Sequence, residues 1–227
     1  MVRFRVGKSY WFKRMKVAAI IFSRMASSRL PGKALRHIAG EPLIKRVINR
    51  VSKVKKLSTV VVATSNSKND DRLVEYIQSL NIEVFRGPAH DVLNRAVSCA
   101  SYLGVDKFIR INGDSPLIDP ELLENGIEMW REPNLDLISN VFPRTYPVGT
   151  SVEIIKTDSL KKILSLTVDS CDREHVTRFF YRNPEKFRIL NFESGRSELR
   201  EVRLAVDTEE DLERIDWLFK EFGGLIN

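Results

Sequence analysis

The sequence predicts an α/β fold with a mostly parallel central sheet and helices on both faces. Three observations carry this reading. Val17–Phe22 and Thr59-Val-Val-Val-Ala63 are short continuous apolar runs, the pattern of strands buried on both faces. Between and after them lie segments whose apolar residues recur at helical spacing. Strands and helices then alternate down the first half, the rhythm of parallel strands joined by crossover helices.

The elements follow in order. After the Val17–Phe22 strand, residues 42–54 predict a helix with Leu43, Ile44, Val47, Ile48 and Val51 on one face and Pro42 in its first turn. Residues 59–63 predict the second strand. Residues 70–80 predict a helix, with Leu73, Val74, Ile77 and Leu80 on one face. A short strand over 82–85, a helix over 91–103, a strand over 107–111 and a helix over 120–131 complete the regular half. The second half predicts strands over 152–155, 188–192 and 202–206. Helices are expected over 172–182 and 209–222. No linker or internal repeat divides the chain, so one domain is expected.

Composition sets the outer limits. The 227 residues, 43% hydrophobic and 30% charged, suit one globular domain with a sizeable core. No apolar run approaches the roughly 20 residues of a membrane span. Cys99 and Cys171 stand far apart and in no metal spacing, which fits a reduced, cytoplasmic protein. The net charge of +7 first suggests nucleic acid, but six cations and no acid fall within residues 1–16, so only +1 belongs to the remainder. No nucleic-acid partner is expected. Residues 1–15 are set apart as a basic extension and residues 16–227 as the domain. The extension has two open readings: an untranslated segment, with Met15 as the start, or a disordered or partner-binding arm. A membrane-surface arm fits less well.

Ligands of parallel sheets sit at the carboxyl ends of the strands, and two unusual loops begin there. Ser23-Arg-Met-Ala-Ser-Ser-Arg-Leu-Pro-Gly-Lys33 carries Arg24, Arg29 and Lys33 among Ser27, Ser28 and Gly32. A triphosphate needs backbone donors from small residues and fixed cations on its oxygens. The loop is not a Walker P-loop, because Ala34 follows Gly32-Lys33, and no Gly-x-Gly-x-x-Gly is present. The second loop is Asn112-Gly-Asp-Ser-Pro-Leu-Ile-Asp119. Asp114 could hold Mg²⁺ against a nucleotide phosphate or belong to an ordinary turn. Asp119 reads as the N-cap of the helix begun by Pro120. Asp207 follows the apolar 202–206 segment. It is open to two roles, the N-cap of the last helix with Glu210 reciprocating, or a metal ligand shared with Asp114.

Together these segments resemble the cytidylyltransferase family that activates sugars for cell-surface polysaccharides, including CMP-Kdo and acylneuraminate synthetases. The spore-coat polysaccharide branch looks most similar. The resemblance covers about residues 16–220 and rests on the first loop, Phe85-Arg-Gly-Pro-Ala-His-Asp-Val-Leu93, Gly113-Asp-Ser-Pro-Leu-Ile-Asp119, Asp172-Arg-Glu-His-Val-Thr177 and Val206-Asp-Thr-Glu-Glu-Asp-Leu212. It implies a Rossmann-like nucleotide-diphospho-sugar transferase fold, a homodimer, and Mg²⁺-dependent transfer of CMP from CTP to a small sugar or acidic sugar. Arg24, Ser27, Ser28, Arg29, Gly32, Lys33, Asn112 and Gly113 would bind the nucleotide, with Ala63, Thr64 and Arg86 near the nucleoside. Arg29, Lys33 and Asp114 would act in catalysis, and Asp114 and Asp207 would hold Mg²⁺. Gly149, Ser151, Glu153, Arg173 and His175 would face the acceptor. The chain departs from the family pattern at Ser23, where alanine is usual, and at Ser151, where a carboxylate is usual.

His175 is open as an acceptor ligand, a general base or a structural residue, and the two cysteines read as packing residues. Two rival readings follow from the same residues. A glycosyltransferase of related fold usually carries Asp-x-Asp after a central strand, whereas Asp114 is followed two residues on by Pro116. A non-catalytic nucleotide-binding protein would have no need of both Asp114 and Asp207.

Overall fold

The computed structural model describes residues 16–226. The basic extension over residues 1–15 lies outside the described residues. The strands are β1 (Val17–Phe22), β2 (His37–Ile38), β3 (Glu41–Pro42), β4 (Thr59–Ser65), β5 (Glu83–Gly87), β6 (Lys107–Asn112), β7 (Leu137–Ser139), β8 (Glu153–Lys156) and β9 (Ile189–Asn191). The helices are α1 (Leu43–Val51), α2 (Asp71–Ser79), α3 (Val92–Tyr102), α4 (Pro120–Met129), α5 (Thr157–Leu166), α6 (Ser170–Glu174), α7 (Arg178–Arg182) and α8 (Glu209–Ile226).

Seven strands form one sheet in the order β5-β4-β1-β6-β8-β7-β9, and β2 and β3 make a small separate ladder. Pairings β4–β5, β1–β4 and β1–β6 are parallel, while β8 runs antiparallel to both β6 and β7. Strand alternation divides the core. Val17, Ala19 and Ile21 of β1 face Ile44, Val47 and Ile48 of α1 and Leu73 and Ile77 of α2. Ala18 and Ile20 face Leu93, Ala96 and Ala100 of α3 and Leu160 and Ile163 of α5. A third cluster joins Leu30, Ile38, Leu43 and Val206 to Leu212, Ile215 and Phe219 of α8. This places α8 beside the first loop. Among the described residues no helix is long and apolar enough to cross a membrane.

The regular half follows the periodicity to within a few residues, and four expectations are corrected. Pro42 is not in the first turn of α1. It stands before the helix with φ −55° and ψ 141° and pairs with His37. Residues 202–206 are not a strand of the sheet. Arg203 makes an isolated bridge with Val148, and Val206 N–H donates to the Asp114 carbonyl at 2.9 Å. The apolar alternation there comes from Leu204 and Val206 packing under α8. The expected helix over 172–182 is two short helices, α6 and α7. His175, at φ −108° and ψ 88°, breaks them, and the break turns Val176 into the core. The fourth concerns the cap of α8. Thr208 Oγ1 accepts from Asp211 N–H at 3.3 Å and Asp211 Oδ2 accepts from Thr208 N–H at 3.2 Å. That reciprocal pair is Thr208–Asp211, so Asp207 and Glu210 are not the capping pair.

Four elements were not expected from periodicity. These are the two-residue strands β2 and β3, β7, only three residues long, and α5.

Candidate active site

The first loop leaves β1 at Phe22 and is held from below. Ser23 N–H donates to the Ala63 carbonyl at 3.3 Å and Gly113 N–H to the Phe22 carbonyl at 2.8 Å. The two strand ends approach so closely that a Cβ on Gly113 would meet Ser23 Cβ at 2.7 Å, which makes glycine a packing requirement here. Gly32, at φ +71°, lets the loop turn back so that its N–H reaches the Met25 carbonyl at 2.9 Å. Asp70 anchors the other side. It is 1% exposed and accepts from Met25 N–H at 2.7 Å, Thr64 Oγ1 at 2.9 Å, Ser65 N–H at 3.0 Å and the Ser65 hydroxyl. Burial alone would raise its pKa, but these donors outweigh it and hold the carboxyl below its ordinary value.

Lys33 opens a short 3-10 turn, and its Nζ donates to Asp114 Oδ2 at 2.9 Å, Asp207 Oδ1 at 3.0 Å and the Val206 carbonyl at 2.9 Å. Asp114 lies just beyond β6 and Asp207 just before α8, so residues 93 positions apart converge on one ammonium. Asp207 Oδ2 also takes Arg29 at 3.2 Å and Arg203 at 3.1 Å. Burial would raise the Asp207 pKa, yet Lys33, then Arg29 and Arg203, leave it below the usual carboxylate value. The pair of carboxylates therefore points at one spot beside the first loop. Among the described residues no group of three or more His, Cys, Asp or Glu could hold a metal alone. Two converging carboxylates do fit an ion that takes its remaining ligands from phosphates and water, as Mg²⁺ does.

Arg29, Lys33 and Asp114 open on a cavity of about 280 Å³ at the ends of β1 and β6, while Asp207, bonded to Lys33, and Gly32 are not part of its lining. Arg24, Ser27, Ser28, Arg29, Lys33, Asn112, Gly113, Asp114 and His175 of the expected site line it. Other expected residues do not. Ala63 and Thr64 are buried beneath, at 0% exposure. Arg86 clamps the turn after β4, donating to the carbonyls of Ser65 at 3.1 Å and Ser67 at 2.7 Å and pairing with Asp71 at 2.7 Å. Gly149, at φ +104°, seats the 204–205 backbone, where a Cβ would meet Ala205 N at 2.6 Å. Ser151 accepts from Arg144 at 3.0 Å. Arg173 ties the carbonyls of Leu164 and Thr167 to Asp91. Glu153 is 2% exposed and meets the cavity only through Arg110.

Two charged lining residues, Arg95 and Arg110, were missed by sequence reasoning. The signal for both was legible. Arg110 interrupts the apolar run Lys107-Phe-Ile-Arg-Ile111, and Arg95 sits on the apolar face of 92–100, positions where an arginine is rarely placed without a task. Glu174 pairs with Arg24 at 2.7 Å and pulls that guanidinium toward α6.

A phosphate-type loop facing paired carboxylates across the strand ends of an α/β sheet defines a nucleotide-binding class of protein. Comparison with known proteins narrows the class. A family model described as cytidylyltransferase matches residues 18–221, and the chain belongs to that family. The spore coat polysaccharide biosynthesis protein SpsF of Bacillus subtilis is 31% identical over 210 residues, covering 90% of this chain and 86% of that protein. The structure of a cytidylyltransferase from Leptospira borgpetersenii superposes with a TM-score of 0.83 at 28% identity, covering 93% of this chain and 97% of that one. CMP:2-keto-3-deoxy-manno-octonic acid synthetase complexed with CTP shares the fold, with a TM-score of 0.71 at 21% identity over 91% of this chain and 99% of that one. The expected nucleotidyltransferase fold is therefore the fold observed.

Proposed function

We propose that the protein transfers CMP from CTP to a hydroxyl of a sugar or acidic sugar, releasing pyrophosphate, in the synthesis of a surface polysaccharide or glycan. One observation carries this reading: Lys33, in a loop with three serines and one glycine, stands between Asp114 and Asp207 at the wall of the cavity. Membership of the cytidylyltransferase family supports cytidine as the base.

In this mechanism Arg29 and Lys33 leave their carboxylates to hold the β- and γ-phosphates and carry the charge of the departing pyrophosphate. Asp114 and Asp207 are the residues that would hold Mg²⁺, and the ion would supply neutralisation of phosphate charge. Ser27, Ser28, Gly113 and Asn112 orient the nucleotide along the strand ends. The acceptor hydroxyl enters from the side of His175 and attacks the α-phosphorus in line with the leaving oxygen. Positioning and charge supply the rate, since little covalent chemistry falls to the protein. Incubation with each nucleoside triphosphate, Mg²⁺ and a sugar panel, followed by pyrophosphate measurement, tests the reading. CTP-dependent pyrophosphate release is expected. Release of a nucleoside diphosphate from a sugar nucleotide instead would replace this reading with that of a glycosyltransferase.

A further inference from the structure

The opposite edge of the sheet carries a second cavity. β1 and β6 reach the catalytic cavity with Phe22 and Asn112, and they begin at their other ends with Val17 and Lys107. Val17 and Lys107 line a cavity of about 350 Å³. That volume falls within the range of roughly 300–1,000 Å³ of small-molecule sites. The strands between the two cavities span about 17 Å, at roughly 3.3 Å per residue. The cavities share no lining residue.

Val17 and Ile154 supply an apolar floor from the sheet, and Ile127 of α4 and Trp130 just past its end supply an apolar wall. The opening does not come from loose packing. Gly126 seats α4 so closely on the start of β8 that a Cβ there would meet Val152 Cγ1 at 2.9 Å and Ile154 Cδ1 at 3.2 Å. The turn after α1 is tied to the same helix, since Lys55 N–H donates to Glu124 at 2.7 Å and Lys56 pairs with Glu128. The walls are therefore fixed before a ligand arrives, which lowers the cost of binding.

The polar part of the lining has one sign. Lys55, Lys56 and Lys107 line the cavity, and among the described residues no carboxylate does. Glu128 and Asp106 attract Lys56 and Lys107 from outside the lining. Lys107 is 5% exposed, and its ammonium lies 4.2 Å above the Trp130 ring. An ammonium so short of water holds an anionic oxygen more strongly than one at the surface does. The Trp130 indole N–H is a further buried donor that no acceptor of the described residues takes. A cation finds no acidic partner in this lining. A neutral apolar molecule would fill the space and leave the ammoniums further desolvated.

We propose that this cavity is a second ligand site, for a small apolar carboxylic acid whose body lies on Val17, Ile127 and Ile154 and whose carboxylate meets Lys107 and Lys55. It stands independently of the transferase reading. Isothermal titration of the full chain with 2-naphthoate, 2-naphthamide and 2-naphthylmethylamine tests it. 2-Naphthoate binds at one equivalent, the amide about tenfold or more weaker, the scale of one charge-assisted hydrogen bond, and the amine not at all. Saturating CTP and Mg²⁺ leave the naphthoate affinity unchanged, and so does removal of residues 1–15. Lys107→Met keeps the stem and weakens naphthoate about tenfold or more, with cooperative melting retained. Ile127→Trp keeps all three lysines, fills the cavity and abolishes binding. No saturable naphthoate binding, equal affinity for the amide, displacement by CTP, or unchanged affinity in both variants overturns the site. Binding seen only after removal of residues 1–15 also overturns it, by giving the cavity to that segment.

Discussion

Lys33 Nζ stands 2.9 Å from Asp114 Oδ2 and 3.0 Å from Asp207 Oδ1, at the point where the two carboxylates converge. One ammonium thus offsets the repulsion of two acids that would otherwise face each other across the end of β6. Replacing Lys33 with Met removes that cation and keeps the stem. The variant is expected to melt lower than the unmodified chain without Mg²⁺, and to gain more than it on adding Mg²⁺, because the ion takes the vacated role. Turnover should fall by on the order of 10² to 10³, the scale of losing a transition-state charge stabiliser. Equal Mg²⁺ responses of the two proteins would remove Lys33 from the space between the acids.

Asp114→Asn and Asp207→Asn each delete one charge and keep shape. Each should lower turnover by on the order of 10² or more, and the double variant should be little worse than either single, since groups that act as a unit are not additive. The α8 cap is made by Thr208 and Asp211, so Asp207→Asn leaves helix stability nearly unchanged. Measuring kcat against Mg²⁺ concentration for all three variants checks this. Near-normal turnover of Asp207→Asn would leave Asp114 as the sole metal carboxylate.

Asp70 holds the first loop through Met25 N–H and the end of β4 through Thr64 and Ser65. Asn presents two donors where the carboxylate accepts from four, so Asp70→Asn should cost about 2–4 kcal/mol in denaturant unfolding, the sum of several lost charge-assisted bonds. The folded pKa lies below the unfolded value of 3.8, so the carboxylate's contribution is full above that value and is lost as pH falls through the folded one. The gap between unmodified chain and variant is expected to be constant from pH 5 to 7, roughly one to three units above that carboxylate value, and to shrink in stronger acid. A gap that widened on acidification would contradict the assignment.

Lys107 titrates unusually. Burial is the main cause, lowering its pKa from 10.5 to about 8 against the attraction of Asp106. Its ammonium lies 4.2 Å above the Trp130 ring. Between about 8 and 10.5 the unfolded chain binds the proton and the folded chain does not, so stability attributable to Lys107 rises with pH across that window. The melting temperature of the unmodified chain relative to Lys107→Met should therefore climb between those two pH values. A flat difference would show that the charge is not desolvated.

Legibility differed between the two halves for a physical reason. β1, β4 and β6 are buried on both faces, and the helices between them have one apolar face each, so burial writes the period directly into the residues. The first loop and Asp114 could be placed at strand ends because an α/β sheet has one functional edge. The second half lacks that signal. β7 has three residues, too few to show a period, and residues 202–206 show apolar alternation because α8 covers them rather than because they join the sheet.

By itself the sequence determined that this is a parallel α/β protein with a phosphate-type loop at a strand end and with motifs similar to those of cytidylyltransferases. Both are local properties: apolar period along the chain, and residue types within ten or so positions. Only the tertiary structure decided that Lys33 bridges Asp114 and Asp207, that Thr208 rather than Asp207 caps α8, that Arg86 clamps a turn outside the cavity, and that Arg95 is buried beside the cavity. Each of these depends on which side chains meet across distant segments. Charge pairing acts through space over a few ångströms, so a count of arginines and aspartates along the chain cannot say which cations meet which carboxylates.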